Sequence, residues 1–266
     1  LNVVVRGLIV GGVIATSSIS FSKTHKTIPP IQNTILATNY SVQDIETGEV
    51  LKSLNDQEVR SIASITKLMT AIVIINSGID LSQQVKVTHI RGISTKIPNN
   101  SYLSLFDLLH LSLMSSDNLA AKTIALNYPG GESQHVITMN NTAIMLGMAN
   151  TQFTDPTGLQ ETNVSTAQDL IKLLKYAESF SIIKDFSTSS KYAITAGPRN
   201  LIFSTTNRLL NNQNNIILSK TGWLNKSGGC LVMLVREQGR LLAVVLLNSK
   251  STTTRIRDGV LLYSLK

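Results

Sequence analysis

The chain is short of the residue types that build several common kinds of site. Cys230 is the only cysteine in 266 residues, so no disulfide can close within the chain and no metal cluster can be assembled from thiolates. It lies in the apolar run Cys230-Leu231-Val232-Met233, which suits a buried, inert thiol better than a nucleophile. His25, His89, His110 and His135 are far apart and show no H-x-x-x-H or related spacing, so each reads as a surface or packing residue rather than a metal ligand. Aromatic residues are few, at 5%, and the Lys and Arg residues behind the formal net charge of +8 are scattered rather than gathered into a run. Without a basic stripe or rings on which bases could stack, a nucleic-acid partner is not expected, and the charge reads as a solvated surface.

What is present is enough apolar material for a substantial core: 42% hydrophobic residues in 28.9 kDa, which predicts one domain, or one with a helical lobe inserted. Arg6 stands ahead of the apolar stretch from Gly7 to Ala15, a positive start and an apolar run of signal-peptide length, too short for an ordinary membrane span. We therefore expect export, with residues 1–22 a signal peptide or N-terminal membrane segment that, if uncleaved, provides the only membrane contact. The folded domain is expected over residues 34–266. No small-x-small cleavage site follows Ala15, only Thr16-Ser17-Ser18, and the chain opens with Leu1, so the cleavage position stays open.

Ser41 to Leu51 alternates and turns around Thr47-Gly48, which predicts a β-hairpin. Ser64 to Ser77 is apolar on nearly every face and stops at Gly78, as expected of a helix buried all round. Leu105 to Met114 and Leu119 to Leu126 predict two helices that meet at Ser115 to Asn118, with Ser104 capping the first. Further helices are expected at Ser133 to Leu146 and Thr166 to Phe180, the latter behind the capping-box pattern Ser165-Thr166-Ala167-Gln168. Ile216 to Leu218, Cys230 to Val235 and Leu241 to Leu247 read as three antiparallel strands, and Thr252 to Leu265 as a closing helix. The fold class is α/β of the α+β kind: an antiparallel sheet assembled from both ends of the chain, with helices packed on it or forming a lobe.

Three short motifs carry the chemistry: Ser64-Ile65-Thr66-Lys67, Ser116-Asp117-Asn118 and Lys220-Thr221-Gly222. Each alone is cheap, since Ser20-Phe21-Ser22-Lys23 also reads S-x-x-K and Ser53-Leu54-Asn55 also reads S-x-N. Their order, spacing and local context carry the weight. A serine hydroxyl needs a base, and with no suitable histidine the base is a lysine. Three residues apart at a helix start, Ser64 and Lys67 share one face. At the reference value of about 10.4 Lys67 would be protonated, but burial and a second cation, for which Lys220 is placed, both lower it. Free N–H groups at Ser64 and the N–H of Trp223 can form two halves of an oxyanion hole. Gly222 lets backbone approach a substrate, and Lys220 and Thr221 suit a carboxylate. Ser116 can relay a proton to a leaving amine and Asn118 can bind an amide, or the second motif can simply cap the following helix. For Arg255, a solvated basic residue and a second carboxylate clamp are both open readings.

These segments, with Arg60 to Thr70, Leu113 to Asn118, Phe153-Thr154-Asp155-Pro156-Thr157-Gly158-Leu159, Asn163 to Ala167 and Thr254 to Asp258, resemble the low-molecular-mass penicillin-binding proteins. These are serine D-alanyl-D-alanine carboxypeptidases and endopeptidases that trim bacterial peptidoglycan. The resemblance implies the DD-peptidase and β-lactamase type of fold, Ser64 as acylated nucleophile, Lys67 as base, Ser116 and Asn118 as second motif, Lys220 and Thr221 as third, and a binding role for Arg255. It implies peptidoglycan stem peptides as substrate, β-lactams as covalent inhibitors, no metal or organic cofactor, and a place in the periplasm or on the outer face of the cytoplasmic membrane. Trp223 stands where family members often have Tyr or His. The short stretch after Lys220-Thr221-Gly222 resembles the penicillin-binding protein 7 type, so a D,D-endopeptidase is the expectation and a carboxypeptidase the alternative. A class A β-lactamase would need an E-x-x-L-N segment, which Glu161-Thr162-Asn163 does not match. A wall-binding homologue without activity is the weaker reading, because the motif residues are all present.

Overall fold

The structure, a computed structural model, describes residues 34–264. The predicted signal segment, residues 1–22, lies outside them. The N-terminal hairpin forms as β1 (Asn39–Asp44) and β2 (Val50–Leu54), and a short β3 (Arg60–Ser61) follows. A single 3-10 turn, Ala63–Ile65, leads into α1 (Thr66–Asn76), so Ser64 precedes the α-helix proper rather than opening it. From Thr66 to Ile74 every residue of α1 is buried, as its lack of a polar face requires.

A two-stranded piece, β4 (Gln84–Val87) and β5 (Ser101–Ser104), precedes α2 (Leu105–Met114), α3 (Asn118–Leu126) and α4 (Gly131–Met145). Ser104 caps α2 in a reciprocal box with Asp107. These three helices pack on α1 and make the helical lobe. After β6 (Val164–Ser165) comes α5 (Ala167–Ala177). Its cap sits one residue later than the sequence pattern implies: Thr166 accepts from Asp169 N, while Ser165 Oγ turns to Thr151 Oγ1. The predicted helix ends early, and a separate α6 (Ser181–Thr188) and the hairpin β7 (Lys191–Ala196) with β8 (Arg199–Ser204) occupy a stretch for which the sequence suggested no element.

The chain closes with β9 (Ile216–Leu224), β10 (Gly228–Glu237), β11 (Arg240–Ser249) and α7 (Thr252–Tyr263). The sheet order is β2-β1-β11-β10-β9, antiparallel throughout, with β1 from the start of the domain lying on β11 near its end. On β10 and β11, Cys230, Val232, Leu234, Ala243, Val245 and Leu247 face the helical core, while Leu231, Met233, Val235, Leu242, Val244 and Leu246 face a second core beneath α7. Burial on both faces is why these strands read as unbroken apolar runs. It also leaves β9 as the edge beside the helices, which positions the third motif.

Candidate active site

The three motifs converge although they come from a tight turn, an interhelix corner and a sheet edge. Lys67 Nζ lies 2.8 Å from Ser64 Oγ, 2.7 Å from Asn118 Oδ1 and 2.5 Å from the Thr157 carbonyl oxygen. The side chain is buried completely, and burial pulls its ammonium down to about 7 against the opposing charges of Asp155 and Asp117. Of its neighbours, Asn118 Oδ1 and the Thr157 carbonyl can only accept, whereas Ser64 Oγ can donate. A neutral amine satisfies all three: two N–H groups go to Asn118 and Thr157, and the lone pair faces the Ser64 hydroxyl.

Lys220, also buried, holds Ser116 Oγ at 2.8 Å and the Thr221 carbonyl at 2.9 Å. Burial is the first cause that brings its pKa well below the lysine value, followed by repulsion from Lys67 and from Arg255. Burial is the largest cause for both lysines, and their mutual repulsion adds to it. Asp117 caps α3 through Ala120 N and also accepts from Thr95 Oγ1, so the second motif caps a helix and contributes Ser116 and Asn118 to the site at once.

Arg255 is 5% exposed and donates from Nη1 to the Gly222 carbonyl at 2.9 Å, which excludes the solvated reading. Thr221 Oγ1 is paired with Thr206 Oγ1 at 2.6 Å. Gly222 presses β9 against the serine turn: a Cβ there would sit 3.0 Å from Ser64 N and 3.1 Å from the Ala63 Cβ. Trp223 is 44% exposed. Ser64, Ser116, Asn118, Thr221, Trp223 and Arg255 line one groove of about 340 Å³.

Sequence reasoning assigned no role to the segment that supports Lys67 from behind. The Asp155 carboxylate accepts from Thr157 N, Thr157 Oγ1, Gly158 N, Gln160 N and Asn163 Nδ2, all between 2.5 and 2.9 Å. Five donors hold it ionised below the usual carboxylate range despite its burial. They fold the segment so that the Thr157 carbonyl points at Lys67 and Gly158 lies on the serine turn, where a Cβ would come within 2.0 Å of the Ala63 oxygen. The Asp-Pro-Thr-Gly string is a turn signal that marks the bend, but nothing in it names the carbonyl that results. No cluster of His, Cys, Asp and Glu among the described residues could hold a metal ion.

The arrangement suits acyl transfer through a serine, and comparison with known proteins agrees. The profile of the D-alanyl-D-alanine carboxypeptidase family matches residues 24–251. A D-alanyl-D-alanine endopeptidase of Pseudomonas aeruginosa is 38% identical over 91% of this chain and 81% of that protein. One of Escherichia coli is 38% identical over 90% and 79%. The crystal structure of the Streptomyces K15 DD-transpeptidase superposes with a TM-score of 0.81 at 25% identity, covering 86% of this chain and 96% of the other. The fold of the cefotaxime-bound penicillin-binding protein D2 of Listeria monocytogenes is the same, with a TM-score of 0.78 at 24% identity. On the family match and the extent of the identity, the chain belongs to the D-alanyl-D-alanine carboxypeptidase family of serine D,D-peptidases.

Proposed function

We propose that the chain is a D-alanyl-D-alanine endopeptidase that cuts peptide cross-links in peptidoglycan through an acyl-enzyme on Ser64, its catalytic domain spanning residues 34–266. The observation that carries the reading is the surrounding of Lys67: a buried amine, its pKa pulled down to about 7, with Nζ 2.8 Å from the Ser64 hydroxyl. Lys67 takes the hydroxyl proton as Ser64 Oγ bonds to the carbonyl carbon of the D-alanyl peptide. Ser64 N–H and Trp223 N–H stabilise the oxyanion, close approach being allowed by Gly222. Collapse of the tetrahedral species breaks the C–N bond, and Ser116, held by Lys220, delivers the proton to the leaving amine. Water then cleaves the ester and restores Ser64. Asn118, whose Oδ1 is engaged by Lys67, offers its amide N–H to the substrate backbone, while Lys220, Thr221 and Arg255 provide the hydroxyl and positive charge that hold a substrate carboxylate.

The same groups accept a β-lactam as a carbonyl donor, so penicillin leaves a lasting adduct on Ser64. The endopeptidase subclass is supported by the names of the relatives at 38% identity. The more distant relatives at 26–31% identity carry carboxypeptidase names, which makes release of a terminal D-alanine the second reading. A peptidoglycan substrate supports a place in the periplasm or on the outer face of the cytoplasmic membrane, with membrane contact only through the N-terminal segment where it is uncleaved. The test is incubation with isolated sacculi, with a cross-linked dimer and with a pentapeptide ending in D-Ala-D-Ala, the products identified by mass. Cleavage of the dimer by the parent and not by Ser64→Ala is expected. Equal activity of the two overturns the mechanism, and D-alanine release without dimer cleavage overturns the subclass.

A further inference from the structure

The turn that supports Lys67 is bonded to α1 by two side chains, and only one of them is the lysine itself. Lys67 donates to the Thr157 carbonyl at 2.5 Å. Three residues on, on the same face of α1, Thr70 Oγ1 donates to the neighbouring carbonyl, that of Pro156, at 2.7 Å. Thr70 is buried completely, and Pro156 is buried with it. A proline has no backbone N–H, so this carbonyl is the one polar group it offers there, and burial makes it costly to leave unpaired.

A threonine hydroxyl inside a helix commonly turns back to the carbonyl four residues earlier, as Thr138, Thr142 and Thr188 do here towards Gln134, Thr138 and Lys184. Thr70 instead reaches across to another segment. Its other neighbour within reach, the Met139 sulfur of α4 at 3.9 Å, is a weak acceptor, so the single hydroxyl proton goes to Pro156. The Asp155 carboxylate shapes the same turn through Thr157 N, Gly158 N, Gln160 N and Asn163 Nδ2, but none of these bonds reaches α1. We infer that Thr70 is a positioning residue for acylation: it docks the Asp155 turn on α1 so that the Thr157 carbonyl stays on Lys67 Nζ and keeps the amine directed at Ser64. The inference rests on Lys67 as the base and adds to it a residue that does not line the groove.

The test uses the full chain with Thr70→Val, Thr70→Ser and, as a control, Thr142→Val. Acylation of Ser64 by a fluorescent penicillin is followed by stopped flow from pH 5 to 9, with rates expressed per active site titrated by the same reagent, so that unfolded protein does not count. In Thr70→Val the plateau rate constant should fall about tenfold, the factor carried by one hydrogen bond of ordinary strength. A carbonyl that drifts from Nζ also withdraws an acceptor from the ammonium, so the acid limb should move to lower pH. His135 of α4, against the Thr70 backbone, is held at about 4 by burial and stays neutral over this range, so the limb still reports Lys67. Thr70→Ser, which keeps the hydroxyl, should largely restore both readouts, and Thr142→Val should leave both at parental values. A parental plateau and limb in Thr70→Val, with only the urea midpoint lowered, would make Thr70 merely structural and overturn the inference while Lys67 remains the base. If Thr70→Val does not fold, Thr70→Cys, whose thiol is a weaker donor, should show a smaller loss of the same kind, and parental kinetics there overturn the inference equally. A parent whose acylation is flat with pH removes Lys67 as base and this inference with it.

Discussion

A lysine that serves as base at neutral pH must give up its proton about three units earlier than an exposed one, and this makes the acid limb of acylation the most direct test of the site. With Lys67 lowered to about 7, half of the amines are free at pH 7 and roughly one in a hundred at pH 5, if each pH unit below the midpoint costs a factor of about ten. The rate constant for acylation by a fluorescent penicillin, followed by stopped flow from pH 5 to 9, should therefore rise about a hundredfold and level off above pH 8. Because Lys67 and Lys220 repel each other, the observed midpoint is a property of the pair. Asp155→Asn removes a charge that raises the Lys67 value, so the limb should move to lower pH. Lys67→Arg, which stays charged throughout, should lose activity by more than about a thousandfold. Stability carries the opposite signature of the same shift. Between about 7 and 10.5 the unfolded chain binds the proton that folded Lys67 has released, so burying this lysine weighs most against folding below pH 7 and the cost fades as pH rises through that window. An acylation rate that is flat from pH 5 to 8, or a limb centred near the ordinary lysine value, would refute the assignment of Lys67 as base.

Gly158→Ala drives a Cβ to 2.0 Å from the Ala63 oxygen at a backbone φ of +78°, and urea unfolding should show a loss of about 3 kcal/mol or more together with slower acylation. Asn163→Ala takes a donor from Asp155 and an acceptor from Thr154 N in a fully buried place. It should cost about 2–4 kcal/mol in the same assay, and retained parental stability would show that this hydrogen-bond network contributes little. Ser116→Ala keeps the Ser64 and Lys67 pair and removes the relay to the amine, so peptide cleavage should fall by a factor of about a hundred or more while Ser64 still labels with penicillin. Parental rates of peptide cleavage in that variant would remove Ser116 from the mechanism.

The parts of the fold that sequence made legible are those in which local pattern and tertiary environment agree. The hairpin around Gly48, the helix after Ser64, buried from Thr66 to Ile74, and the Ser104 cap all appear where the residues place them. The β7–β8 hairpin was missed although Tyr192, Ile194 and Ala196 alternate with exposed Lys191, Ala193 and Thr195 ahead of a Gly197-Pro198 turn, because a single exposed ribbon has no long apolar run to announce it. β9 extends past Leu218 to Leu224, and its polar residues hide this, since Lys220 and Thr221 point into a site rather than a core. In the candidate site, the convergence of Ser64, Lys67, Ser116, Asn118 and Lys220 was legible because motif spacing names side chains that the fold then brings into contact. The Thr157 carbonyl was not, because every residue has a carbonyl and only the fold decides which one meets a lysine.

Backbone strain and buried charge fall together at this place. Ala63, beside Ser64, has φ +46°, and Ser116 has φ +58°, each costing on the order of 1–3 kcal/mol relative to relaxed backbone. Lys67 and Lys220 are both buried, and no carboxylate of the described residues forms a direct ion pair with either. Such features persist only where the surroundings over-determine them, and three rigid pieces do so here. The serine turn is clamped between Gly158 and Gly222, the second motif is fixed as the cap of α3, and β9 is stitched along β10, whose two apolar faces fill both cores. The two-sided core thus stabilises the sheet edge, the edge holds Lys220 against Ser116, and the Asp155 turn holds the Thr157 carbonyl against Lys67. A charged Lys67 could use all three of its neighbours as acceptors, so it is burial that tips this amine toward the neutral state in which its lone pair is free for the Ser64 proton.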